Sequence, residues 1–423
     1  MHLDELTGRR VVLLGLGADV LAAVPQVLAA GPAEVLVVDD GRAAMPPDLA
    51  ARGVAVANLA DGSAAAEVFV RSPGFPRYQP ELAVALDRGA KMTTPIDLWW
   101  GTHGLGRTVV GITGTKGKST VTELVGSLAD RAGLRVGVAG NVGVPVFDPG
   151  WDHDAPVIVL EVSSYQAADL HHVPDLAVLT YLSEDHLSWH GGVERYIADK
   201  LRLLRNESGT ARRILVPATG GRVDEVLAEL GMVAEVVTPP AGPVSVPAHR
   251  LQNAALAAAV LAALGGPKLR DADVVEAAGS SLPGRLDACP GPAGLLCLDD
   301  ALASNPSAAA AGLGWVRSLD RPTVVLLGGS DRGVDPAPLA HEVSRWAPGL
   351  LRAVAVPDSG AALAARVGVD VLAVAEDVSE AVAVALGALP TDGIVLFSPG
   401  APTPAAIGTW KTRSDQFRAA LLG

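Results

Sequence analysis

Gly111-Ile-Thr-Gly-Thr-Lys-Gly-Lys-Ser-Thr120 is the stretch on which the reading of this chain turns. An apolar run, Thr108, Val109 and Val110, precedes it and reads as a strand, and Val121 to Ala132 follows and reads as a helix. A glycine-rich turn from strand to helix lets backbone N–H groups close around a phosphate, and the helix N-terminus adds partial positive charge there. Lys118 can reach the outer phosphates, and the Ser119 hydroxyl can ligate Mg²⁺. The strict phosphate-loop pattern fails at one place, because Ile112 sits where the first glycine belongs, and Gly111, Gly114 and Gly117 give a variant spacing instead. A glycine-rich loop with a chance Lys-Ser is the alternative, and the strand–loop–helix context speaks against it.

The chain has 423 residues, long for one core, so two or three domains are expected. Its net charge of −13 argues against nucleic acid as a partner, since binding a phosphate backbone needs a basic face. No run of roughly 20 apolar residues escapes charge, proline or glycine, which excludes membrane insertion. Asp4 and Glu5 precede Arg9 and Arg10, and the apolar run after them contains Gly15 and Gly17, so the order of a secretory signal is missing and a cytoplasmic protein is expected. Cys289 and Cys297 lack metal-motif spacing and make no disulfide framework, so they read as buried small apolar residues.

Three α/β regions follow one another. In the first, the run Arg10 to Leu14 leads through Gly15-Leu16-Gly17 into a helix ending at Ala30, then to a strand from Glu34 to Val38 that ends in Asp39-Asp40. The complete dinucleotide fingerprint is absent, since Val20 stands at its third glycine. Another strand, Val68 to Val70, turns at Arg71-Ser72-Pro73-Gly74, and the Trp/Gly/His stretch Pro95 to Gly104 reads as a hinge. The central region alternates apolar strands (Val136 to Ala139, Val157 to Leu160, Leu176 to Leu179, Ile214 to Val216) with helical stretches, so an open, mostly parallel sheet is expected. The third begins at Pro283-Gly284-Arg285, with strands at Gly294 to Leu298, Thr323 to Leu327, Ala353 to Val356 and Ile394 to Phe397. The expected division is 1–100, 101–282 and 283–423, an α/β protein in three domains.

Chemistry concentrates in the central region. Glu161 ends a parallel strand, where α/β ligands bind, and a carboxylate there suits magnesium. Glu184-Asp-His-Leu-Ser-Trp-His-Gly191 follows the next strand, and Tyr196 and Lys200, four apart, share one helix face. Asn141-Val-Gly143 reads as an asparagine turn, and Arg250-Leu-Gln-Asn253 opens an alanine-rich helix.

Taken together, these motifs resemble those of the Mur ligase superfamily, ADP-forming amino-acid ligases. The resemblance implies that Gly114, Thr115, Lys116, Gly117, Lys118, Ser119 and Thr120 form an ATP loop, that Asn253 meets the adenine, that Asp300 holds the ribose and that Arg285 reaches the γ-phosphate. It implies Mg²⁺ ligands in Ser119, Glu161, His186 and Lys200, the last as a carbamate, and catalytic roles for Lys118, His186 and Lys200. A Lys⁺ beside Mg²⁺ would repel it, whereas a carbamate offers anionic oxygens. Gly15, Leu16, Gly17, Asp39, Ser72, Pro73, Gly74, Asn141, Ser163 and Gln166 would bind a UDP substrate. Ser304, Arg332, Thr403 and Trp410 would bind the amino acid.

The resemblance spans all three regions, as a Rossmann-like nucleotide-sugar domain, a P-loop-type ATPase domain and a Rossmann-like amino-acid domain. It is closest to the enzymes that add glutamate to UDP-N-acetylmuramoyl-L-alanine in peptidoglycan synthesis, working as monomers. Departures gather in the amino-acid pocket: Leu302 replaces the family lysine, Arg332 supplies the cation of a Gly-Gly-x-x-Lys segment, and Pro404 is also unlike the usual D-glutamate enzyme. Asp331-Arg332-Gly333 is similar to the pattern of a variant that takes L-glutamate, which tilts the reading to that isomer. The D-glutamate enzyme, a folylpolyglutamate-type ligase and a P-loop nucleotide-binding protein without ligase chemistry stand as alternatives.

Overall fold

The computed structural model describes residues 1–38, 46–60, 65–141, 143–243, 246–279, 283–331 and 333–422. Among the described residues three large sheets carry it, each with helices on its faces, and a small hairpin pairs Arg205–Asn206 with Gly209–Thr210. In the first, all strands are parallel, in the spatial order Ala55–Val56, Glu34–Val38, Arg10–Leu14, Val68–Arg71, Lys91–Thr93. Successive side chains of a strand point to opposite faces. Val11, Leu13, Val35, Val37, Val68 and Val70 accordingly build one core, and Val12, Leu14, Leu36, Val38 and Phe69 build the other. Burial on both faces explains why these strands read as unbroken apolar runs. The order of the strands reverses between Arg10–Leu14 and Val68–Arg71, which opens a crevice beyond their carboxyl ends.

The second sheet is also fully parallel, in the order Glu235–Val237, Arg213–Pro217, Leu176–Leu179, Thr108–Thr113, Val157–Glu161, Val136–Gly140. Ile112 lies beside Glu161 and Thr113 beside Leu179, so three strand ends finish level with one another. The third sheet begins with an antiparallel edge, Asp287–Cys289 against Leu296–Asp299, and continues in parallel through Ile394–Phe397, Thr323–Leu327, Leu351–Ala355 and Val371–Val374. The chain forms two compact units. One holds the first two sheets, in Met1–Ala241 and Ala248–Ala277; the other holds the third, in Gly242–Pro247 and Ala278–Gly423.

Several sequence readings shift in the structure. The stretch expected as a hinge is a helix, Pro95–Trp99, continued by a wider turn, Trp100–Gly104. Thr94 caps it by accepting from the Asp97 N–H, and Pro95 at the first position needs no N–H partner. Ile96, Trp99 and Trp100 enter the core of the second sheet while Leu98 enters that of the first, so this segment rivets the two sheets together. The strand expected from Gly294 starts at Leu296, because Gly294 (φ 88°) belongs to the turn before it. Cys297 is buried and Cys289 half-buried, directly opposite each other across the antiparallel edge, and burial pushes both thiols up, Cys289 to about 12. Among the described residues no helix is long and apolar enough to cross a membrane.

Trp99 is 1% exposed. Trp99→Ala is expected to cost about 3–5 kcal/mol, the usual loss for emptying a large aromatic site. A urea melt of the variant checks this, and an unchanged midpoint would show that the segment is no rivet.

Candidate active site

The phosphate loop is built by what its glycines leave out. Gly114 has φ 149°, and a Cβ there would collide with the Thr180 hydroxyl, which donates to the Lys116 carbonyl at 2.6 Å. Gly117, at φ 91°, stands at the N-cap of the helix Lys118–Arg131, and a Cβ there would come within 2.7 Å of Asn253 Oδ1. Asn253 is therefore seated on the loop. The helix begins three residues earlier than its apolar pattern, so Lys118, Ser119 and Thr120 form its first turn, where backbone N–H groups have no partner within the helix. Thr115 pins the loop: its N–H donates to the Tyr181 carbonyl at 2.7 Å, and its hydroxyl meets Tyr196 Oη at 2.7 Å.

Two ammonium groups converge on one carbonyl. Lys118 Nζ donates to Gly114 O at 3.0 Å and to Thr115 O at 3.2 Å, and Lys200 Nζ donates to the same Gly114 O at 2.9 Å. Lys200 is 2% exposed and also lies 4.9 Å from the Tyr196 ring centre. Burial, with Lys118 close by, holds its amine far below the usual lysine range.

Glu161 is fully buried at the end of its strand. Its Oε1 accepts from Asn141 Nδ2 at 2.8 Å, and its Oε2 has no hydrogen-bond partner among the described residues. A buried carboxylate oxygen without a partner is costly, and a cation relieves it. His186 sits in the left-handed region (φ 52°) as N-cap of the short helix Leu187–His190, its ring half exposed against Tyr165. Crowding of the ring, reinforced by Lys200, Lys116 and Lys118 against the pull of Asp185, pushes its pKa down to about 4. The imidazole is thus neutral at neutral pH and free to bind a metal. Burial works against ionisation of Asp185, yet Lys116, 3.3 Å away, and His186 hold its carboxyl below the ordinary range. Among the described residues no three His, Cys, Asp or Glu side chains gather as a ready metal site. Glu161 and Ser119 fit Mg²⁺, which takes few protein oxygens and completes its shell with water and phosphate.

At the first sheet's crevice, Gly15 and Gly17 abut the Ser72-Pro73-Gly74 turn. A Cβ on Gly15 would lie 3.3 Å from Ser72 Cβ, and one on Gly17 would strike Ser72 Oγ. Leu16 is buried beneath them. Sequence reasoning missed what holds this turn. The buried Arg71 guanidinium donates to Asp169 at 2.8 Å and to the carbonyls of Ser72, Pro73, Phe75 and Tyr165 at 3.1, 2.9, 3.3 and 2.5 Å. The one available signal was an arginine directly before a Ser-Pro-Gly turn. Ser163 and Gln166 cap the short helix Ser164–Ala167 reciprocally, and Gln166 also donates to Asp19 at 3.0 Å, so both are occupied in fixing structure.

In the second unit, Asp300 is buried, accepting from the Leu286 N–H at 3.2 Å and from Ser398 Oγ at 2.8 Å. Arg285 precedes Leu286 in the same turn. The Trp410 ring covers Gly284, where a Cβ would come within 2.6 Å of it and 3.5 Å of Leu302. Ser304 is exposed and Thr403 half-buried. Arg413, 1% exposed, donates to Gly328 O at 2.8 Å and Ala401 O at 3.2 Å, which ties together the loops after Thr323–Leu327 and Ile394–Phe397. Asp39 and Arg332 lie outside the described residues.

Burial pushes the Asp300 carboxyl up to about 7, against the pull of its two hydrogen bonds. A raised folded-state pKa means that the native form holds a proton the unfolded chain has released, so stability falls as pH rises between about 4 and 7. Asp300→Asn removes that ionisation. Its stability relative to the parent is expected to improve through this window by up to about 1.4 kcal/mol per pH unit. Urea melts at pH 5 to 8 measure it, and a pH-independent difference would contradict the assignment.

A family model for the Mur ligase middle domain matches residues 112–222. The UDP-N-acetylmuramoyl-L-alanine--L-glutamate ligase of a Micromonospora species is 35% identical over 464 residues, covering 100% of this chain and 98% of that protein. The ligase of the same name from Xanthomonas euvesicatoria is 32% identical over 458 residues, covering 99% and 96%. The crystal structure of the MurF ligase from Thermotoga maritima in complex with ADP shares the fold, with a TM-score of 0.58 at 15% identity across 100% of this chain and 97% of that one. With the phosphate loop, the neighbouring Glu161 and Lys200, and full-length similarity all in agreement, the chain belongs to the Mur ligase family.

Proposed function

We propose that this protein is an ATP-dependent ligase that joins L-glutamate to UDP-N-acetylmuramoyl-L-alanine, releasing ADP and phosphate, in peptidoglycan precursor synthesis. The observation that carries the reading is similarity along the whole chain to relatives bearing that name, at 35% identity. It also sets aside the folylpolyglutamate-type alternative and the P-loop protein without ligase chemistry, since neither would keep that similarity through all three sheets.

The ATP γ-phosphoryl group passes to the alanyl carboxylate of the UDP substrate, giving an acyl phosphate. The glutamate amine then attacks the acyl carbon, and phosphate leaves as the amide forms. Phosphoryl transfer needs placement and charge compensation above all. The N–H groups of the first helical turn and the Lys118 side chain hold the phosphates and offset their charge. Asn253, seated on the loop, orients the nucleotide base. Glu161, Ser119, His186 and Lys200 as a carbamate would hold Mg²⁺, which supplies further compensation for the transferring oxygens. The Gly15-Leu16-Gly17 turn and Ser72-Pro73-Gly74 hold the UDP moiety, and Asn141 faces the same substrate. In the second unit Arg285 and Asp300 serve ATP, while Ser304, Arg332, Thr403 and Trp410 receive glutamate. The functional division is 1–100, 101–282 and 283–423, for UDP substrate, ATP and amino acid.

The direct test is phosphate release from the purified protein with ATP and Mg²⁺. It is expected only when UDP-N-acetylmuramoyl-L-alanine and L-glutamate are both present. Release without either substrate would sink the ligase reading, and turnover with D-glutamate alone would reverse the isomer.

Lys118→Ala is expected to lose turnover by about a hundredfold or more while the thermal midpoint holds, as removal of one preorganised charge does. Lys200→Ala is expected to lose activity and to recover part of it with a high concentration of acetate, which restores an anionic oxygen pair. A fully active Lys200→Ala would make this lysine a structural one.

A further inference from the structure

One carboxylate oxygen joins segments that carry four parts of the site. Asp199 Oδ2 accepts from Tyr78 Oη at 2.5 Å and is 2.6 Å from His190 Nδ1. The other ring nitrogen, His190 Nε2, lies 3.0 Å from Ser164 Oγ. With Nδ1 donating to the carboxylate, Nε2 accepts from Ser164, and each imidazole nitrogen is satisfied. Ser164, His190 and Asp199 are 2%, 0% and 7% exposed, so no substrate reaches them and the array is no hydrolytic triad.

Each member is a close chain neighbour of a site residue. Asp199 directly precedes Lys200 on the helix Val193–Leu201. His190 ends the short helix that His186 caps. Ser164 opens the helix that follows Glu161. Tyr78 lies just beyond the Ser72-Pro73-Gly74 turn. Aromatic rings fill the space between them. Trp189 packs on Tyr165 at 4.6 Å and on Tyr78 at 5.8 Å, with the Arg71 guanidinium 5.2 Å from its centre, and Tyr165 stacks on His190 at 5.6 Å.

We infer that the Tyr78–Asp199–His190–Ser164 array couples the turn that closes on the UDP substrate to the placement of Lys200, His186 and Glu161, so that seating one substrate sets the geometry for phosphoryl transfer. These four are positioning residues. The inference rests on the reading of Lys200 and of the Ser72 turn given above. A buried oxygen with two donors has two consequences. Movement of the Tyr78 segment is felt by Asp199 directly, and Asp199 cannot turn without also shifting His190.

Tyr78→Phe deletes one hydroxyl and keeps the ring that meets Arg77 and Arg195, so the fold is expected to hold. Two readouts test the coupling. The first is the carbamate resonance of Lys200, followed by NMR with ¹³C-bicarbonate, with and without UDP-N-acetylmuramoyl-L-alanine. In the parent, the UDP substrate is expected to lower the bicarbonate midpoint by about fivefold or more. In Tyr78→Phe that shift is expected to fall below about twofold, with Asp199→Asn behaving alike. The second readout is turnover, where Tyr78→Phe is expected to lower kcat by about tenfold and leave KM for ATP and glutamate within about twofold.

A Tyr78→Phe chain that keeps the parental shift and the parental kcat overturns the coupling. A variant that raises only KM for the UDP substrate also overturns it, since Tyr78 would then merely brace the local turn. If the parent shows no carbamate resonance, the carbamate reading of Lys200 fails by itself, and the split between kcat and KM decides the coupling.

Discussion

A lysine amine enclosed by protein, held by one backbone carbonyl and one tyrosine face, is the constraint around which this site is arranged. Lys200 donates to Gly114 O, and that carbonyl is presented only because Gly114 adopts φ 149° with Thr180 filling the place of a side chain. Lys118 reaches the same oxygen, and Lys116 is close by, paired with Asp185. Three lysines therefore crowd one loop, while Glu161 stands buried nearby with an oxygen that no described residue satisfies. In low dielectric such charges interact strongly. Under the proposed function a triphosphate would set further anions against these lysines, a divalent ion would relieve Glu161, and a carbamate would turn Lys200 from competitor to ligand. The arrangement is strained as a fold and suited as a receptor.

Much of this was legible in the sequence, for a physical reason. Strands buried on both faces must be apolar throughout, and the runs at Glu34–Val38, Leu176–Leu179, Thr323–Leu327 and Ile394–Phe397 coincide with the strands observed. Backbone conformations closed to side chains leave glycine as their trace, so Gly114 and Gly117 announced the loop. Short edge strands such as Ala55–Val56 and Val371–Val374 were not legible, since exposed residues carry no pattern. The Pro95–Gly104 stretch misled because tryptophan, glycine and histidine look irregular until two cores bury them.

The organising contacts of the site were hidden for another reason. Arg71 meets Asp169 across 98 residues and Tyr78 meets Asp199 across 121. A local motif records what a ligand demands of a short segment. It does not record which distant side chain holds that segment still. Lys200 was singled out by the family resemblance of its segment, whereas Asp199, its neighbour in the chain, looked like any helix-surface acid.

The second unit shows the same logic in its departures from the family pattern. Gly284 has φ 71°, the Trp410 ring takes the space its side chain would need, and Leu302 closes the other side while its N–H donates to Gly284 O at 3.0 Å. Leu302, where the family resemblance expects lysine, and Trp410 are therefore one packing solution around the turn that carries Arg285. An ammonium at position 302 would sit in that apolar contact with its charge partly desolvated. Under the proposed function, losing it would remove a cation from the amino-acid pocket and leave Arg332 as the cation that the sequence retains in the Gly-Gly-x-x segment. A planar guanidinium grips a carboxylate through two parallel bonds where an ammonium offers a point charge, so it fixes the direction from which the carboxylate must approach. Under the proposed function that grip would orient one carboxylate of glutamate, and further contacts about the same stereocentre would complete the choice between isomers.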